Sequence, residues 1–300
     1  MKVSVVIPTY DRPIELTRAL KSAANQTYEN IEIIVVNDSE NDHPVFEIIE
    51  KLNDSRIKYY RNERSKGGNG ARNTGILKAT GNYIAFLDDD DEWFPKKLEK
   101  QMASMNVLDN KWGGCYCGYR VMLKENKWKD SLNKIEGKFV KELLTGKNSI
   151  GAISTLFIKK NVVEKIGLFS EKLRRYQDIY FVISFMRFYK LAFVNDILVK
   201  VYGHNQPKAD VLLDSSKDFL SLISQDLKQL KKKERNLVFS LITYRISIRY
   251  LRERYYKNSF IYLMKSIRYR LLSPRKYGKY LFIFTCSIFG RNRANIDIIT

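Results

Sequence analysis

Short apolar runs alternate with amphipathic stretches through the first hundred residues. Val3–Ile7 is a β-branched run closed by Pro8, and Ile31–Val36 and Tyr83–Leu87 are two more. Ile57–Tyr60 is a shorter one. Between the first two, Asp11 is placed to cap a helix that opens at Arg12 or Pro13 and offers Ile14, Leu16, Ala19 and Leu20 as its apolar face. Val45–Leu52 reads as a second helix, and Ala71–Ala79 as a third that follows a glycine-rich loop. Unalternating apolar strands separated by helices predict parallel strands in an α/β sheet. Ligands bind such sheets beyond the carboxyl ends of the strands. Three polar clusters stand there: Thr9-Tyr10-Asp11, Asn37-Asp38-Ser39 and Asp88–Asp91.

Beyond Trp93 the pattern is mixed. A helix is expected from Pro95 to about Leu108, strands at Gly114–Met122 and Ser154–Ile158, and helices at Asn161–Ile166 and Asp178–Tyr189. Phe193–Val194 and Leu198–Tyr202 read as an antiparallel pair. From Asp214 onward the period is helical, with helices expected at Leu237–Tyr256, Asn258–Leu272 and Arg275–Gly290. The domain reading is therefore a catalytic body over 1–213 and a helical region over 214–300.

Composition narrows the class. A chain of 300 residues can bury a sizeable core, and 44% hydrophobic with 29% charged residues is a globular balance. Three cysteines, Cys115, Cys117 and Cys286, make no disulfide framework, and the spacing of the first two is not that of a zinc pair. The net charge of +20 is uneven. From Lys228 to Thr300 there are 18 Lys or Arg against three acids, +15 of the total. The N-terminus lacks the long apolar region of a signal peptide, and Tyr280–Phe289 is about half the ~20 residues of a spanning helix. The expectation is a cytoplasmic protein whose basic end meets an anionic partner.

The sharpest chemical signal is Phe86-Leu87-Asp88-Asp89-Asp90-Asp91-Glu92-Trp93. Adjacent carboxylates repel and call for a cation; at a strand end they can converge on Mg²⁺ or Mn²⁺, which prefer oxygen ligands. A solvated acidic turn is the plain alternative, and the buried strand leading into the cluster argues against it. The loop Gly67–Gly75 lacks the lysine and hydroxyl of a Walker loop and the third glycine of a dinucleotide fingerprint, and leaves Arg72 as a candidate anion contact. Asp178 opens an amphipathic helix, where a helix-terminal charge is the alternative to a chemical role. His204 reads as a loop histidine or a metal contact.

Taken in order, Ser4–Tyr10, Val35–Ser39, Ala71-Arg72-Asn73-x-Gly75 and Phe86–Trp93 resemble the family 2 glycosyltransferases, over roughly residues 1–205. The resemblance implies a GT-A fold with a mixed, mostly parallel central sheet, a nucleotide-sugar donor (a UDP-sugar), a divalent cation and an inverting transfer. It implies that Pro8, Thr9, Tyr10 and Asp38 bind the donor, and that Asp88 and Asp90 hold Mn²⁺ or Mg²⁺; from the residues themselves Arg72, Asp88 and Asp89 are read as further donor contacts and His204 as a further metal contact. Asp178, after Gly167-Leu168-Phe169, maps onto the family's catalytic base, with Gln177 where a glutamate is usual. The Gln-x-x-Arg-Trp motif of processive members is absent, which implies one sugar per acceptor. By analogy with the family the acceptor is a saccharide or a lipid-linked one, in a bacterial capsule, exopolysaccharide or cell-wall pathway.

In the basic end, Arg245, Arg249 and Arg252 share a helix face and aromatics are interleaved, a pattern that suits an anionic bilayer surface at the inner face of the cell membrane. A helical subdomain with a solvated basic face is the alternative. No nucleic-acid motif accompanies the charge, so no nucleic-acid partner is expected. A nucleotidyltransferase of related fold and a non-catalytic membrane adaptor are the competing functions; the presence of Asp88, Asp90 and Asp178 argues against the adaptor.

Overall fold

The computed structural model describes residues 1–124, 127–203 and 207–288. In chain order the elements are β1 (Val3–Thr9), α1 (Pro13–Ala24), β2 (Ile31–Asn37), α2 (His43–Leu52), β3 (Ile57–Arg61), α3 (Gly68–Lys78), β4 (Tyr83–Phe86), β5 (Glu92–Trp93) and α4 (Lys97–Asn106). Then come β6 (Trp112–Lys124), β7 (Lys127–Ser131), α5 (Val140–Leu144), β8 (Phe157–Lys159), α6 (Lys160–Ile166), α7 (Gln177–Phe188) and β9 (Lys190–Val201). Five helices follow: α8 (Ala209–Leu222), α9 (Ser224–Gln229), α10 (Lys232–Arg252), α11 (Tyr256–Tyr269) and α12 (Pro274–Ile288). Two compact units result. The first comprises Met1–Phe139, Ser149–Lys172 and Gln177–Gly203; the second takes Val140–Asn148, Leu173–Tyr176 and the helical residues after 203.

The first unit is built on one mixed sheet of strand order β3-β2-β1-β4-β8-β6-β9-β5, with β7 beside β6. β1 to β4 are parallel, as are β6 and β9, whereas β5, β7 and β8 run against their neighbours. β1 and β2 are buried at all seven positions, which explains their unbroken apolar runs. Their polar members are matched to each other. Ser4 faces Glu32 in register and donates to it at 2.6 Å, and Lys2, Lys58 and Thr80 supply the rest of that carboxylate's donors. The chain leaves β1 towards β2 on one side and reaches β4 on the other, so a topological switch point lies between β1 and β4.

Several expectations are corrected. Asp11 does not cap α1: its backbone is left-handed (φ 50°) and its carboxylate accepts the Ser39 hydroxyl at 2.6 Å. Ile14 is 80% exposed and leaves the buried face to Leu16, Ala19, Leu20 and Ala23. The glycine-rich segment is not a loop, because α3 already begins at Gly68. Packing requires glycine at two of its positions. A Cβ on Gly75 would sit 2.4 Å from Val6 Cγ1, and one on Gly70 1.9 Å from the Ser65 carbonyl oxygen. Ser154 lies in a 3₁₀ turn, Ile153–Thr155, ahead of β8. Phe193–Val194 and Leu198–Tyr202 do not form a hairpin; β9 runs through both, held by a parallel neighbour, β6, and an antiparallel one, β5. The turn-favouring pair Asn195-Asp196 does not break it and is absorbed as register irregularity opposite Cys117 and Gly118.

In the second unit α10 and α11 form a tight pair. Serines seven residues apart on each helix meet: Ser240 with Ser266 at 3.0 Å, and Ser259 with the Ser247 carbonyl at 2.8 Å, all four fully buried. Tyr244, Leu251, Tyr280 and Ile283 form an apolar cluster where α12 joins. No described helix is long and apolar enough to cross a membrane.

Candidate active site

The three strand-end clusters meet at the β1–β4 switch point. Thr9 pairs with Asn37 across β1 and β2, and the Leu87 N–H bonds to the Val6 carbonyl as β4 leaves the sheet. The four aspartates that follow diverge. Asp89 turns inward: it accepts the Thr9 hydroxyl at 2.9 Å, the Tyr10 N–H at 3.4 Å and Arg12 Nη1 at 3.0 Å. Burial pushes its carboxyl up to about 6 despite Arg12, with Asp90 adding to the rise. Asp88, Asp90 and Asp91 face one another, one oxygen of each lying within 4.8 Å of the others.

Each member of that trio has a holder. Arg72, buried in α3, donates to Asp88 through Nη2. Arg12 bridges from Asp89 to Asp90 at 2.7 Å. Asp91, fully buried, accepts the Ser154 hydroxyl at 2.6 Å and the Tyr202 N–H at 3.4 Å. The same Ser154 hydroxyl accepts the Asp88 N–H at 3.0 Å, so one side chain ties both ends of the aspartate turn. The donor set is all carboxylate oxygen at short mutual range, which suits a hard divalent ion such as Mg²⁺ or Mn²⁺. Asp88 and Asp90 are the residues that would hold it, with Asp91 beside them.

Arg72 connects this cluster to Asp178. Burial works to lower its pKa, but the carboxylates of Asp88, then Asp178 and Asp89, outweigh burial and leave it raised. Asp178 is the second residue of α7, and the approach to that helix is clamped by α3. Asn73 donates to the Phe169 carbonyl at 2.9 Å and to Glu171 at 2.8 Å, and accepts the Phe169 N–H at 2.9 Å. Asn69 donates to the Ser170 carbonyl at 2.9 Å. Phe169 then stacks on Phe181 of α7, with ring centroids 3.9 Å apart. Gly167, at φ 83°, ends α6 and turns the chain into this segment.

The remaining expected residues sit as follows. Pro8 and Thr9 are buried, and Tyr10 is 57% exposed at the mouth of the crevice. Asp38 uses both oxygens within the chain, accepting Asn62 Nδ2 and the Gly67 N–H, and so anchors the β3–α3 connection. His204 lies outside the described residues. The sequence reading missed Arg12, Asn69, Asn73, Ser154 and Glu171. Arg12 had a signal, a cation three residues past a strand end that faces an acidic cluster. Ser154 had none, because its role depends on β8 pairing against β4 from more than 70 residues away in sequence. A small cavity of about 30 Å³ lies between the ends of β1 and β2, lined by Thr9, Arg12, Asn37 and Val45 among others. A groove of about 520 Å³ lies elsewhere, between α1 and β5, with Arg18, Lys21, Phe94 and Lys200 on its walls.

An uncharacterized glycosyltransferase of Rickettsia typhi is 34% identical over 239 residues, 77% of this chain and 73% of the relative. The Escherichia coli protein WfgD, a UDP-Glc:α-D-GlcNAc-diphosphoundecaprenol β-1,3-glucosyltransferase, is 39% identical over 138 residues, 46% of this chain and 50% of its own length. Among solved structures, S. aureus TarS 1–349 with UDP-GlcNAc superposes with a TM-score of 0.58 at 16% identity, over 98% of this chain and 93% of that one. At that identity the likeness concerns the fold, which is GT-A: a mixed, mostly parallel sheet with the strand-end crevice described above. The profile of glycosyl transferase family 2 matches residues 4–198, the stretch that carries every strand-end cluster, and the chain belongs to that family.

Proposed function

We propose that the protein transfers one sugar from a UDP-sugar to a lipid-linked saccharide acceptor, with inversion at the anomeric carbon. The observation that carries this reading is the switch-point crevice. There Asp88, Asp90 and Asp91 converge within 4.8 Å, and Arg72, which donates to Asp88, also interacts electrostatically with Asp178. The acceptor class is supported by relatives whose names specify undecaprenol-diphosphate-linked acceptors, in Escherichia coli and Campylobacter jejuni.

In this reading Tyr10, exposed beside buried Pro8 and Thr9, meets the nucleobase. Asp38 and Asp89 shape the donor crevice through what they hold, Gly67 and Asn62 for one and Thr9 and Arg12 for the other. Arg72 keeps the Asp88 carboxylate aimed. Asp178 accepts the proton of the attacking acceptor hydroxyl. The new bond forms from that oxygen to the anomeric carbon, and the bond to the diphosphate oxygen breaks, its electron pair leaving with UDP. When bound at Asp88 and Asp90, Mn²⁺ or Mg²⁺ would offset the negative charge of the diphosphate.

The test is a transfer assay with UDP-sugars and a polyprenyl-diphosphate-linked saccharide, the products identified by mass spectrometry. UDP release with a glycosylated lipid is expected; release of pyrophosphate would instead identify a nucleotidyltransferase. Asp178→Asn is expected to bind UDP normally and to turn over at least ~10²-fold more slowly, the usual cost of a lost general base. Near-normal transfer by that variant would remove Asp178 from the mechanism.

A further inference from the structure

The helix α11 is fully buried only at small polar residues and is exposed at large apolar ones. Its inward stripe centres on Ser259 and Ser266, bonded into the serine seam with α10, with half-buried Leu263 reaching the apolar cluster beside them. Its opposite stripe, at the spacing Lys257, Phe260, Ile261, Met264, Lys265, Arg268, is exposed. Phe260 is 59% exposed, Met264 47% and Ile261 40%. A surface helix ordinarily buries its apolar stripe and shows its polar one. Small polar residues at the helix–helix contact, with large apolar ones outside, is the arrangement of helices that face lipid. Nor is the stripe an isolated oddity. Half of the strongly exposed large apolar and tyrosine side chains among the described residues fall between Tyr255 and Phe282, Leu271, Leu281 and Phe282 included.

The charge on this segment names the occupant. From Arg254 to Ile288 there are eight Lys or Arg and no Asp or Glu. Lys257 and Arg268 close the two ends of the α11 stripe and Lys265 flanks it, so their charged tips can reach outward while their stems border the apolar patch. With 14 residues the helix is too short to span a bilayer and the right length to lie on one. We propose that the exposed face of α11, from Lys257 to Arg268, inserts its Phe260, Ile261 and Met264 side chains into the surface of an anionic lipid bilayer. This inference rests on the lipid-linked acceptor of the proposed function and goes beyond it by assigning the docking face.

The experiment uses the full chain and vesicles of phosphatidylcholine alone or mixed in equal parts with phosphatidylglycerol. Co-sedimentation is expected with the mixed vesicles and to fall as salt rises. Phe260→Ser/Met264→Ser, checked for native circular dichroism, is expected to lower the partition at least about tenfold, because insertion scales with apolar area buried. Val107→Ser, a change of a still more exposed apolar residue in the first unit, should leave it unchanged. The three native cysteines are buried, so a polarity-sensitive thiol dye on Met264→Cys reports the face directly, and its emission should shift to the blue on mixed vesicles only. Equal sedimentation of the parent and Phe260→Ser/Met264→Ser overturns the proposal, as does an unshifted dye. A dimer that dissociates in the double variant, with no vesicle binding by the parent, would assign the face to a second copy of the chain instead. Transfer to a detergent-dispersed lipid acceptor separates the two readings. If transfer persists while vesicle binding fails, the docking face falls and the acceptor reading stands. If vesicles bind but only water-soluble saccharides are glycosylated, the acceptor reading falls and the face stands.

Discussion

Glu171 shows how much of the site's geometry depends on single charged groups that sit outside the reaction. It accepts Arg64, Ser65 and Asn73, and although burial opposes it, those three donors hold its carboxyl down at about 2. A carboxyl depressed on folding adds stability that is complete above its unfolded value, about 4.5, and is lost as pH falls towards about 2. Denaturant melts across that window are expected to show the parent losing stability more steeply than Glu171→Gln; parallel slopes would mean that the Glu171 contacts contribute nothing. Lys97 carries the opposite sign. It is fully buried, with Nζ on Gln101 Oε1 at 2.6 Å and 4.0 Å above the Trp93 ring, and burial lowers its pKa to about 8. The unfolded chain holds that proton up to about 10.5, so stability should climb with pH between about 8 and 10.5. In Lys97→Met that climb should vanish. At neutral pH the variant should stay within about 1 kcal/mol of the parent, because relief of a buried charge is offset by the donor that Gln101 loses, each worth about 1–3 kcal/mol. Neither residue was legible in the sequence. Glu171 lies in an unpatterned loop, and Lys97 stands where a helix start usually shows a lysine to water.

At the scale of elements, what could be read was whatever short range determines. β1, β2 and β4 followed from their apolar runs, and their ends placed Asp38 and Asp88–Asp91 on one edge. α7 followed from its period. Reading failed where a distant partner decides the outcome: β9 continues through Asn195-Asp196 because β6 pairs with it before and after that step, and Asp11 abandons the cap because Ser39 reaches it from the end of β2. The glycines of α3 are the instructive case. As a loop motif they suggested flexibility; in the helix Gly75 is the small face that lets α3 lie directly on β1 and β2, and Gly70 the one that admits the Ser65 backbone, which is what brings Arg72 and Asn73 to the crevice. Gly75→Ala tests this. In an exposed helix the change would gain about 1 kcal/mol of propensity. Here the added methyl meets Val6 at 2.4 Å and Val36 at 3.3 Å, and overpacking costs about 1–3 kcal/mol. The expected result is a net loss, seen as a lower melting temperature, with UDP affinity also reduced because Arg72 and Asn73 move with the helix. A variant that melts at or above the parent would show that the contact relaxes freely.

For the whole molecule, the sequence suggested a catalytic body followed by a basic appendage that begins near residue 214. The contacts describe a different kind of division, because the second unit also takes Val140–Asn148 and Leu173–Tyr176 from the middle of the chain. Within that unit the Tyr176 ring stacks on Phe219 with centroids 4.8 Å apart, its hydroxyl accepts Ser216 at 3.2 Å, and Lys141 approaches Glu234 at 3.8 Å. Tyr176 holds a left-handed backbone (φ 64°), a costly conformation for a bulky residue that its surroundings must maintain. It is also two residues before Asp178, the proposed base. A chain ending at residue 213 keeps every expected donor-binding residue but removes Phe219 and Ser216, and leaves Leu143, Leu144 and Leu173 without the helices that share their unit. Such a chain is expected to melt well below the full protein or to aggregate. Any soluble fraction should bind UDP far better than it transfers sugar, because the β1–β4 crevice is built within the first unit, whereas Tyr176, two residues before Asp178, loses the Phe219 and Ser216 contacts of its own unit. The measurement is a paired one, calorimetric UDP affinity and turnover on the same preparation. Full turnover by the truncated chain would show that the helices after residue 213 are dispensable for the turn into α7.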